Sequence, residues 1–257
     1  MSFTIKFCSD LHINKYYPHF PSVKDLFDTT DKFIADVCIL IGDITYFEVI
    51  KFYKKFLQYL SPYFTLLVVV PGNHEYYCNG TKKHSMKELD QASQMLTKDI
   101  KNLEILNNKY IDIGDIRIFG SILWSYLPHT SPHRKLPIYN DNYEMLSRNE
   151  FNILNYSAKI SLENCIKQSK LDDKALIIAT HYSPTFDMYE FDENNETKDH
   201  MNYWYCNDMD DLINEDNVKV WLFGHTHTPY RKHVNGTIVM SNPYVSGYCK
   251  GLGVNIN

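Results

Sequence analysis

The stretch VCILIGDITY, residues 37–46, decides the fold of this chain. It is a continuous apolar run that ends in Gly42 and Asp43, and runs of this length are typical of strands buried on both faces. The same pattern returns at residues 4–9, 66–70, 175–179 and 218–223. We therefore expect parallel strands that each deliver a Gly, Pro, Asp or His at the carboxyl end.

Amphipathic stretches lie between these runs. In 47–60 the apolar residues recur at steps of three and four, which indicates a helix with one buried face. Helices are expected at 47–60, 85–102, 150–170 and 207–215. Because strand-like and helical segments alternate along the chain, we expect an α/β fold.

A second group of strands is expected after residue 102. Its members are 103–106, 110–113, 116–120 and 237–240. Asn107-Asn108, Gly114-Asp115 and Asn235-Gly236 are hairpin-type turn signals between them. Together with the parallel strands, these hairpins predict two mixed β-sheets covered by helices.

Composition excludes several classes of protein. The 257 residues are 44% hydrophobic and 22% charged, which are values of a globular chain. A net charge of −5 argues against a stable nucleic-acid partner.

No apolar run reaches the ~18 residues of a membrane span. The six cysteines show no paired spacing, so we expect a cytoplasmic protein (in the host cytoplasm if the source is viral) without disulfides.

No linker or repeat divides the chain, so a single domain over 1–257 is expected. Two segments lack the alternating rhythm, 125–143 and 185–207, and both are too long to be plain connections. They are either functional loops or mobile insertions. The first could fold over a site as a lid.

Chemistry-bearing side chains follow each of the five apolar runs. In chain order they are Asp10, His12, Asp43, Asn73, His74, His181, His225 and His227. The carboxyl edge of a parallel sheet is where α/β proteins place their ligand sites. Oxygen and imidazole ligands suit a divalent transition metal, and the absence of Cys from the set argues against a structural zinc site.

This ordered set resembles the calcineurin-like metallophosphoesterase superfamily, whose pattern is D-x-H, G-D, G-N-H-D/E, H and G-H-x-H. The resemblance extends from Asp10 to His227 and so covers nearly the whole chain. It implies a four-layer sandwich of two mixed sheets flanked by helices, the metallo-dependent phosphatase fold. It also implies a site with two divalent metal ions, Mn in the first place, with Fe, Zn or Ni as alternatives.

The resemblance assigns a role to each side chain of the set. Asp10, His12 and His227 would hold the first metal, and Asn73, His181 and His225 the second. Asp43 would bridge the two, since a carboxylate has two oxygens to share. A hydroxide between the metals would attack phosphorus, and His74 would protonate the leaving oxygen.

One block departs from the pattern. Many members of the superfamily read G-D-x-x-D, whereas this chain has Gly42-Asp43-Ile44-Thr45-Tyr46, so support around the bridging ligand must come from elsewhere. The arginine of the protein Ser/Thr phosphatase branch is absent too, which argues against that activity. Glu75 could orient His74 or nearby groups, or it could be a solvent-facing acid at a strand end.

The substrate is less well defined by the sequence. Trp124, Asn140, Tyr143 and Arg231 are candidate contacts for a base, sugar or second phosphate, and the alternative is that the aromatic residues among them belong to the core. We expect a phosphodiesterase that acts on a small or nucleotide-like substrate. A phosphomonoesterase, a nuclease and a non-catalytic metal-binding scaffold are the alternatives. No membrane partner is expected, and the sequence does not indicate an oligomeric state.

Overall fold

The computed structural model describes residues 3–131, 134–187, 202–244 and 253–256. In chain order the strands are β1 (Phe3–Cys8), β2 (Ala35–Ile41), β3 (Phe64–Val70), β4 (Leu103–Ile105), β5 (Lys109–Ile113), β6 (Ile116–Ser121), β7 (Ala175–Thr180), β8 (Val218–Phe223), β9 (Tyr230–Val234), β10 (Thr237–Ser241) and β11 (Gly253–Ile256). They form a five-stranded sheet, in the order β11-β1-β2-β3-β4, and a six-stranded sheet, in the order β5-β6-β7-β8-β10-β9. Both sheets are mixed, as the sequence predicted.

The turn at Asn107-Asn108 is not a hairpin. β4 pairs in parallel with β3 in the first sheet, whereas β5 pairs antiparallel with β6 in the second sheet. The two residues therefore carry the chain from one sheet to the other. The hairpins expected at Gly114-Asp115 and Asn235-Gly236 are confirmed by the β5–β6 and β9–β10 pairings.

The two sheets pack face to face and share an apolar core. Ile39 and Ile41 of β2 belong to the same buried cluster as Ile177 of β7 and Val220 of β8. The alternate residues of β2, Cys38 and Leu40, point to the other face. They pack in the cluster that contains residues of the helices over 23–27, 50–60 and 86–99. Because both faces are covered, each of these strands is apolar at all but one position.

Helices cover the outer faces and complete four layers. They are α1 (Val23–Phe27), α2 (Ile50–Leu60), α3 (Met86–Asp99), α4 (Arg148–Leu171) and α5 (Asp210–Ile213). α1, α2 and α3 contribute to the cluster outside the first sheet, and α4 and α5 contribute to the one outside the second. The four-layer α/β fold expected from the sequence is confirmed.

Local sequence accounts for where several helices begin. Ser22, Ser85 and Ser147 each form a capping box with an acid three residues later, which satisfies backbone N–H groups at the start of α1, α3 and α4. The sequence did not predict α1, and the helix expected over 207–215 is reduced to the single turn of α5. None of the helices among the described residues has the length and apolar character needed to cross a membrane.

Candidate metal centre

The carboxyl ends of β1, β2, β7 and β8 meet at one edge of the sandwich, and backbone hydrogen bonds join the loops that follow them. Asp10 N–H donates to the Gly42 carbonyl at 3.0 Å, and His12 N–H donates to the Asp43 carbonyl at 2.8 Å. Gly224 N–H donates to the His181 carbonyl at 3.0 Å within the second sheet, and Ser9 N–H donates to the Asn242 carbonyl at 3.1 Å, which connects the two sheets. Backbone hydrogen bonds therefore join these loops at the base of the site.

Five of the residues predicted as metal ligands have a left-handed backbone. Asp10, His12, Asp43, His225 and His227 have φ between 43° and 66°. This region is uncommon for residues with a Cβ, and each such residue costs about 1–3 kcal/mol, which surrounding contacts must offset. Strain of this kind clusters at functional sites, because it aims side chains in directions that regular structure does not allow.

Two glycines allow the loops to approach closely. A Cβ on Gly42 would lie 2.3 Å from His181 Nδ1, and a Cβ on Gly72 would lie 2.3 Å from Asp43 Oδ1. Both distances are far inside van der Waals contact. The glycine of the G-D block is therefore required by the close approach of His181, and that of the G-N-H-E block by the close approach of Asp43.

The first group of candidate ligands consists of Asp10, His12, Asp43 and His227, whose ligand atoms all lie within 4.8 Å of one another. His12 Nε2 is 3.2 Å from His227 Nε2 and 3.9 Å from Asp43 Oδ2. His227 Nε2 is 3.4 Å from Asp10 Oδ1. Asp10 is fixed by hydrogen bonds that its carboxylate accepts from Ser9 Oγ and from the His225 backbone N–H.

The second group shares Asp43 with the first and adds His181 and His225. His181 Nε2 is 3.2 Å from Asp43 Oδ1 and 3.0 Å from Asn73 Oδ1. The other ring nitrogens face outward: His181 Nδ1 bonds to the Ile41 carbonyl at 3.0 Å, and His225 Nε2 bonds to the Trp204 carbonyl at 3.1 Å. Backbone partners on the outer nitrogen fix the ring of a metal-ligating histidine in just this way.

Burial and charge shift the pKa values of these groups in opposite directions. Burial lowers the pKa of His12 and of His225 to about 3 and raises that of Asp10. Burial also opposes the ionisation of His181, yet the Asp43 and Asp10 charges outweigh it and raise the pKa of His181 to about 9. His181 and its neighbours in turn hold the pKa of Asp43 well below its usual range.

The donor set fits divalent cations. Carboxylate oxygens, an amide oxygen and imidazole nitrogens converge from several loops, and burial keeps His12 and His225 neutral, the form in which imidazole binds a metal. The structure thus brings together all seven residues that the sequence proposed as ligands. Their role as ligands remains a proposal.

Glu75 is completely buried, which resolves the choice that the sequence left open. Its carboxylate accepts hydrogen bonds from the backbone N–H groups of Asp43, Ile44 and Gly72 at 2.7–2.9 Å, and the Tyr53 hydroxyl lies 3.3 Å away. Burial, followed by the nearby Asp43 charge, raises the pKa of Glu75 to about 7. Glu75 thus joins the loops after β2 and β3 beneath Asp43. It supplies support for Asp43 that the Gly42–Tyr46 block, which has no second acid, does not provide.

His74 lies beside both groups at the mouth of the site. Its backbone N–H donates to Asp43 Oδ1 at 2.9 Å, and its Nε2 is 3.8 Å from Asp43 Oδ2. The side chain is 30% exposed, so Nε2 can meet a bound molecule. Burial lowers the pKa of His74.

A cavity of about 390 Å³ opens over the candidate ligands. The residues that line it, besides Asp43, Asn73, His74, His225, Thr226 and His227, are Tyr77, Arg134, Leu136, Tyr182, Trp204 and Tyr205. The wall is therefore largely aromatic, with one guanidinium at its edge. Tyr77 follows His74 by three residues on the turn that begins there, a spacing that places both side chains on one side.

The substrate contacts proposed from the sequence lie elsewhere among the described residues. Trp124 is 3% exposed and packs edge-on against Phe151, so it belongs to the core. Asn140 bonds to Glu150, and the Tyr143 hydroxyl bonds to Glu88. Arg231 is exposed on the edge strand β9. None of these four residues lines the cavity. One is in the core, two are held by hydrogen bonds to acidic side chains, and one lies on an edge strand.

The proposed lid, 125–143, is anchored on both sides of residues 132 and 133, which lie outside the described residues. Leu127 and Ile138 are buried, and the Arg148 guanidinium donates to the Ser131 carbonyl at 2.7 Å. Arg134 and Leu136 reach the cavity. The described part of the segment is therefore a packed wall of the site with two residues over its opening.

Comparisons with known proteins agree with this geometry. The family described as calcineurin-like phosphoesterase matches residues 3–229. An uncharacterized protein of Acanthamoeba polyphaga mimivirus is 29% identical over 223 residues, which are 79% of this chain and 76% of that protein. The resemblance stated from the sequence is confirmed.

Two solved structures are similar over most of their length. A phosphopantetheinyl hydrolase from Mycobacterium tuberculosis has a TM-score of 0.66 and 16% identity, covering 95% of this chain and 89% of that one. A dimetal phosphatase from Danio rerio has a TM-score of 0.51 and 11% identity, covering 94% and 87%. At such low identity these structures show that the fold is shared, and no more.

Proposed function

This chain belongs to the calcineurin-like phosphoesterase family, and on that premise we propose that it hydrolyses a small or nucleotide-like phosphodiester with the help of two divalent cations. The observation that carries the proposal is the convergence of two groups of candidate ligands on one shared carboxylate, Asp43. That arrangement suits a two-cation clamp on a phosphoryl group.

Seven residues would hold the cations. Asp10, His12 and His227 would bind one, and Asn73, His181 and His225 the other, with Asp43 between them. When bound, the cations would polarise the phosphoryl group and lower the pKa of water in the site. Mn²⁺ is our first choice, and Fe, Zn and Ni are alternatives because all of them accept nitrogen and oxygen ligands.

His74 would supply the proton for the leaving group. Its backbone is held by Asp43, and its Nε2 faces the cavity at the edge of both ligand groups. As the bond between phosphorus and the leaving oxygen breaks, that oxygen would take the proton from Nε2. General acid catalysis of this kind contributes about 10²–10⁴-fold to a rate.

The cavity wall supports a diester as the substrate. Among the described residues that line it, Arg134 is the one basic side chain apart from histidines, whereas four aromatic side chains form much of the wall. A diester carries one negative charge and two organic groups, and aromatic surfaces can contact such groups. A monoester is dianionic and has only one organic group, so it would make fewer contacts with the aromatic side chains of this wall.

We propose that the protein acts in the cytoplasm, or in the host cytoplasm if its source is viral, without a stable nucleic-acid partner. Cys78, Cys165 and Cys206 are buried free thiols, which a reducing compartment preserves. The net charge of −5 is unfavourable for binding a long polyanion.

The proposal is tested by hydrolysis of bis-p-nitrophenyl phosphate, p-nitrophenyl phosphate, cyclic nucleotides, dinucleotides, phosphopantetheinyl compounds and short RNA, each with added Mn²⁺. We expect faster turnover of diesters than of monoesters and a dependence on the metal. His74→Asn should slow the reaction, whereas His233→Asn, on the exposed strand β9, is the matched control. A metal-free, inactive wild type would favour the non-catalytic scaffold.

A further inference from the structure

We propose that Tyr46 and Tyr77 are positioning residues that hold the imidazole of His74 by ring stacking. Tyr46 stands where the Gly42–Tyr46 block lacks its second acid. The inference rests on the proposed role of His74 as the proton donor, and it deepens that role by naming what aims the ring.

The first observation is the geometry of the three rings. The Tyr77 and His74 rings have centroids 4.4 Å apart and planes inclined by 28°. The Tyr46 and His74 rings have centroids 5.9 Å apart and planes inclined by 12°. Both tyrosine rings are therefore stacked on the imidazole, with planes inclined by less than 30°.

The second observation is that hydrogen bonds leave the ring of His74 without a close partner. Its Nδ1 is buried and has no hydrogen-bonding partner among the described residues. Its Nε2 is 3.8 Å from Asp43 Oδ2, beyond hydrogen-bonding distance. The backbone of His74 is anchored on Asp43, but rotation of the side chain is limited by ring contacts, including the edge of His12 at 4.6 Å.

The third observation is that Tyr77 is itself fixed, and through a candidate ligand. Asn73 Nδ2 donates to the Tyr77 hydroxyl at 2.8 Å, which turns Asn73 Oδ1 toward His181 Nε2. Tyr77 thus has two separable contributions. Its hydroxyl orients the Asn73 amide, and its ring orients His74.

These contributions make opposite predictions for leucine and phenylalanine variants. Leucine removes the ring, so His74 samples other rotamers and protonates the leaving group less often. Phenylalanine keeps the ring, so the proton transfer is preserved. In Tyr77→Phe the Asn73 amide loses its partner, and we expect a higher Mn²⁺ concentration for half-maximal activity.

The experiment compares two Mn²⁺-dependent substrates that differ in their need for a proton. The p-nitrophenolate of bis-p-nitrophenyl phosphate leaves with little help from an acid, whereas the phenolate of diphenyl phosphate needs it. At saturating Mn²⁺, which compensates for the lost Asn73 contact in the Tyr77 variants, we expect Tyr46→Leu and Tyr77→Leu to lower kcat on diphenyl phosphate about 10- to 100-fold, and kcat on bis-p-nitrophenyl phosphate less than about threefold. Tyr46→Phe and Tyr77→Phe should keep the ratio of the two rates.

Two controls frame that ratio. His74→Asn sets its largest possible change, and Tyr156→Leu, an exposed residue of α4, should leave both rates unaltered. Equal losses on both substrates in the leucine variants would overturn the proposal, since a merely structural role affects both reactions alike. Unchanged rates on both substrates would overturn it as well.

A second readout is independent of turnover. In ¹H–¹³C spectra of the imidazoles, the His74 Cε1–H signal, assigned from its loss in His74→Asn, should carry a ring-current shift. That shift should diminish in both leucine variants and persist in both phenylalanine variants. Its absence from the wild type would overturn the stacking, whereas an inactive wild type that shows it would contradict the proposed function and leave the stacking intact.

Discussion

The two ends of β6 carry charged clusters of opposite character. At the end near Ser121, Asp43 and Asp10 face histidines across a strained backbone, and the His74 ring lacks a close hydrogen bond. At the beginning of β6, the Arg117 guanidinium donates two hydrogen bonds to Asp112, at 2.7 and 2.9 Å, and one to Asp172, at 2.8 Å. With Lys174, whose Nζ is 3.7 Å from Asp112 Oδ2, the second cluster neutralises its own charges, and its guanidinium also lies over the Tyr110 ring.

The difference indicates what each cluster is for. The charges of the Arg117 cluster are compensated within the chain, so the cluster contributes to stability, although Nη1 of Arg117 is buried without a hydrogen-bonding partner among the described residues. The Asp43 cluster directs nitrogen and oxygen donors toward two common points, at the expense of backbone strain. Replacing residues in one cluster should therefore affect activity, and in the other it should affect stability.

The largest expected effect is that of Asp43→Asn. The amide keeps the shape of the side chain but removes the charge shared by the two groups of candidate ligands. We expect kcat with Mn²⁺ to fall by at least about a thousandfold, because several kcal/mol of transition-state stabilisation depend on the cations. Steady-state kinetics measure the loss, and Asp112→Asn is the matched control. Activity within tenfold of the wild type would break the comparison.

Glu75→Ala should cause the largest loss of stability in the site. Three buried backbone N–H groups would lose their acceptor, each at a cost of about 1 kcal/mol or more. We expect the free energy of unfolding to fall by about 3 kcal/mol in urea titrations. Tyr53→Phe removes the weaker contact to the same carboxylate and should cost less than about 1 kcal/mol. Similar losses in both variants would exclude Glu75 as the main link between the loops.

Arg117→Met tests the other end of β6. The Arg117 side chain is 3% exposed, whereas its two partners are about a third exposed, so water compensates part of the loss. We expect the free energy of unfolding to fall by about 2 kcal/mol while kcat stays unchanged. A large loss of activity at unchanged stability would show that the two clusters are not separate in function.

The smallest expected effect is that of Asp112→Asn on stability, and it depends on pH. Hydrogen bonds from Arg117 hold the pKa of Asp112 below its usual value, so its contribution exists above pH ~4 and is lost as pH falls through the folded-state pKa. Screening by water limits it to less than about 1 kcal/mol. Urea titrations from about pH 7 into acid should show a difference from the wild type that is largest at neutral pH and diminishes as pH falls below ~4. A difference that persists in acid would contradict the ionic origin.

Much of the fold could be predicted from the sequence because each buried strand is a continuous apolar run that local sequence alone reveals. The apolar runs around Ile39, Val68 and Ile177 predict strands covered on both faces, and the glycines that end two of the runs predict tight approaches. The turn at Asn107-Asn108 was misread because a turn signal shows that the chain reverses or bends. It does not show which sheet receives the next strand.

Within the site, the predictable part was the part attached directly to strand ends. Asp43, His181 and the other candidate ligands follow from that position, although their role is still a proposal. Trp204 and Tyr205 line the cavity from a loop whose course depends on tertiary packing, so no pattern in the sequence places them there. Trp124 illustrates the reverse error, since only its contacts with Phe151 and Tyr182 show that it belongs to the core.

The central claim is that two cations share Asp43, and anomalous X-ray diffraction from crystals grown with Mn²⁺ tests it most directly. We predict two anomalous peaks on either side of the Asp43 carboxylate. One should lie among Asp10, His12 and His227, and the other among Asn73, His181 and His225. Crystals without either peak, or with peaks only at other surfaces of the protein, would contradict the claim.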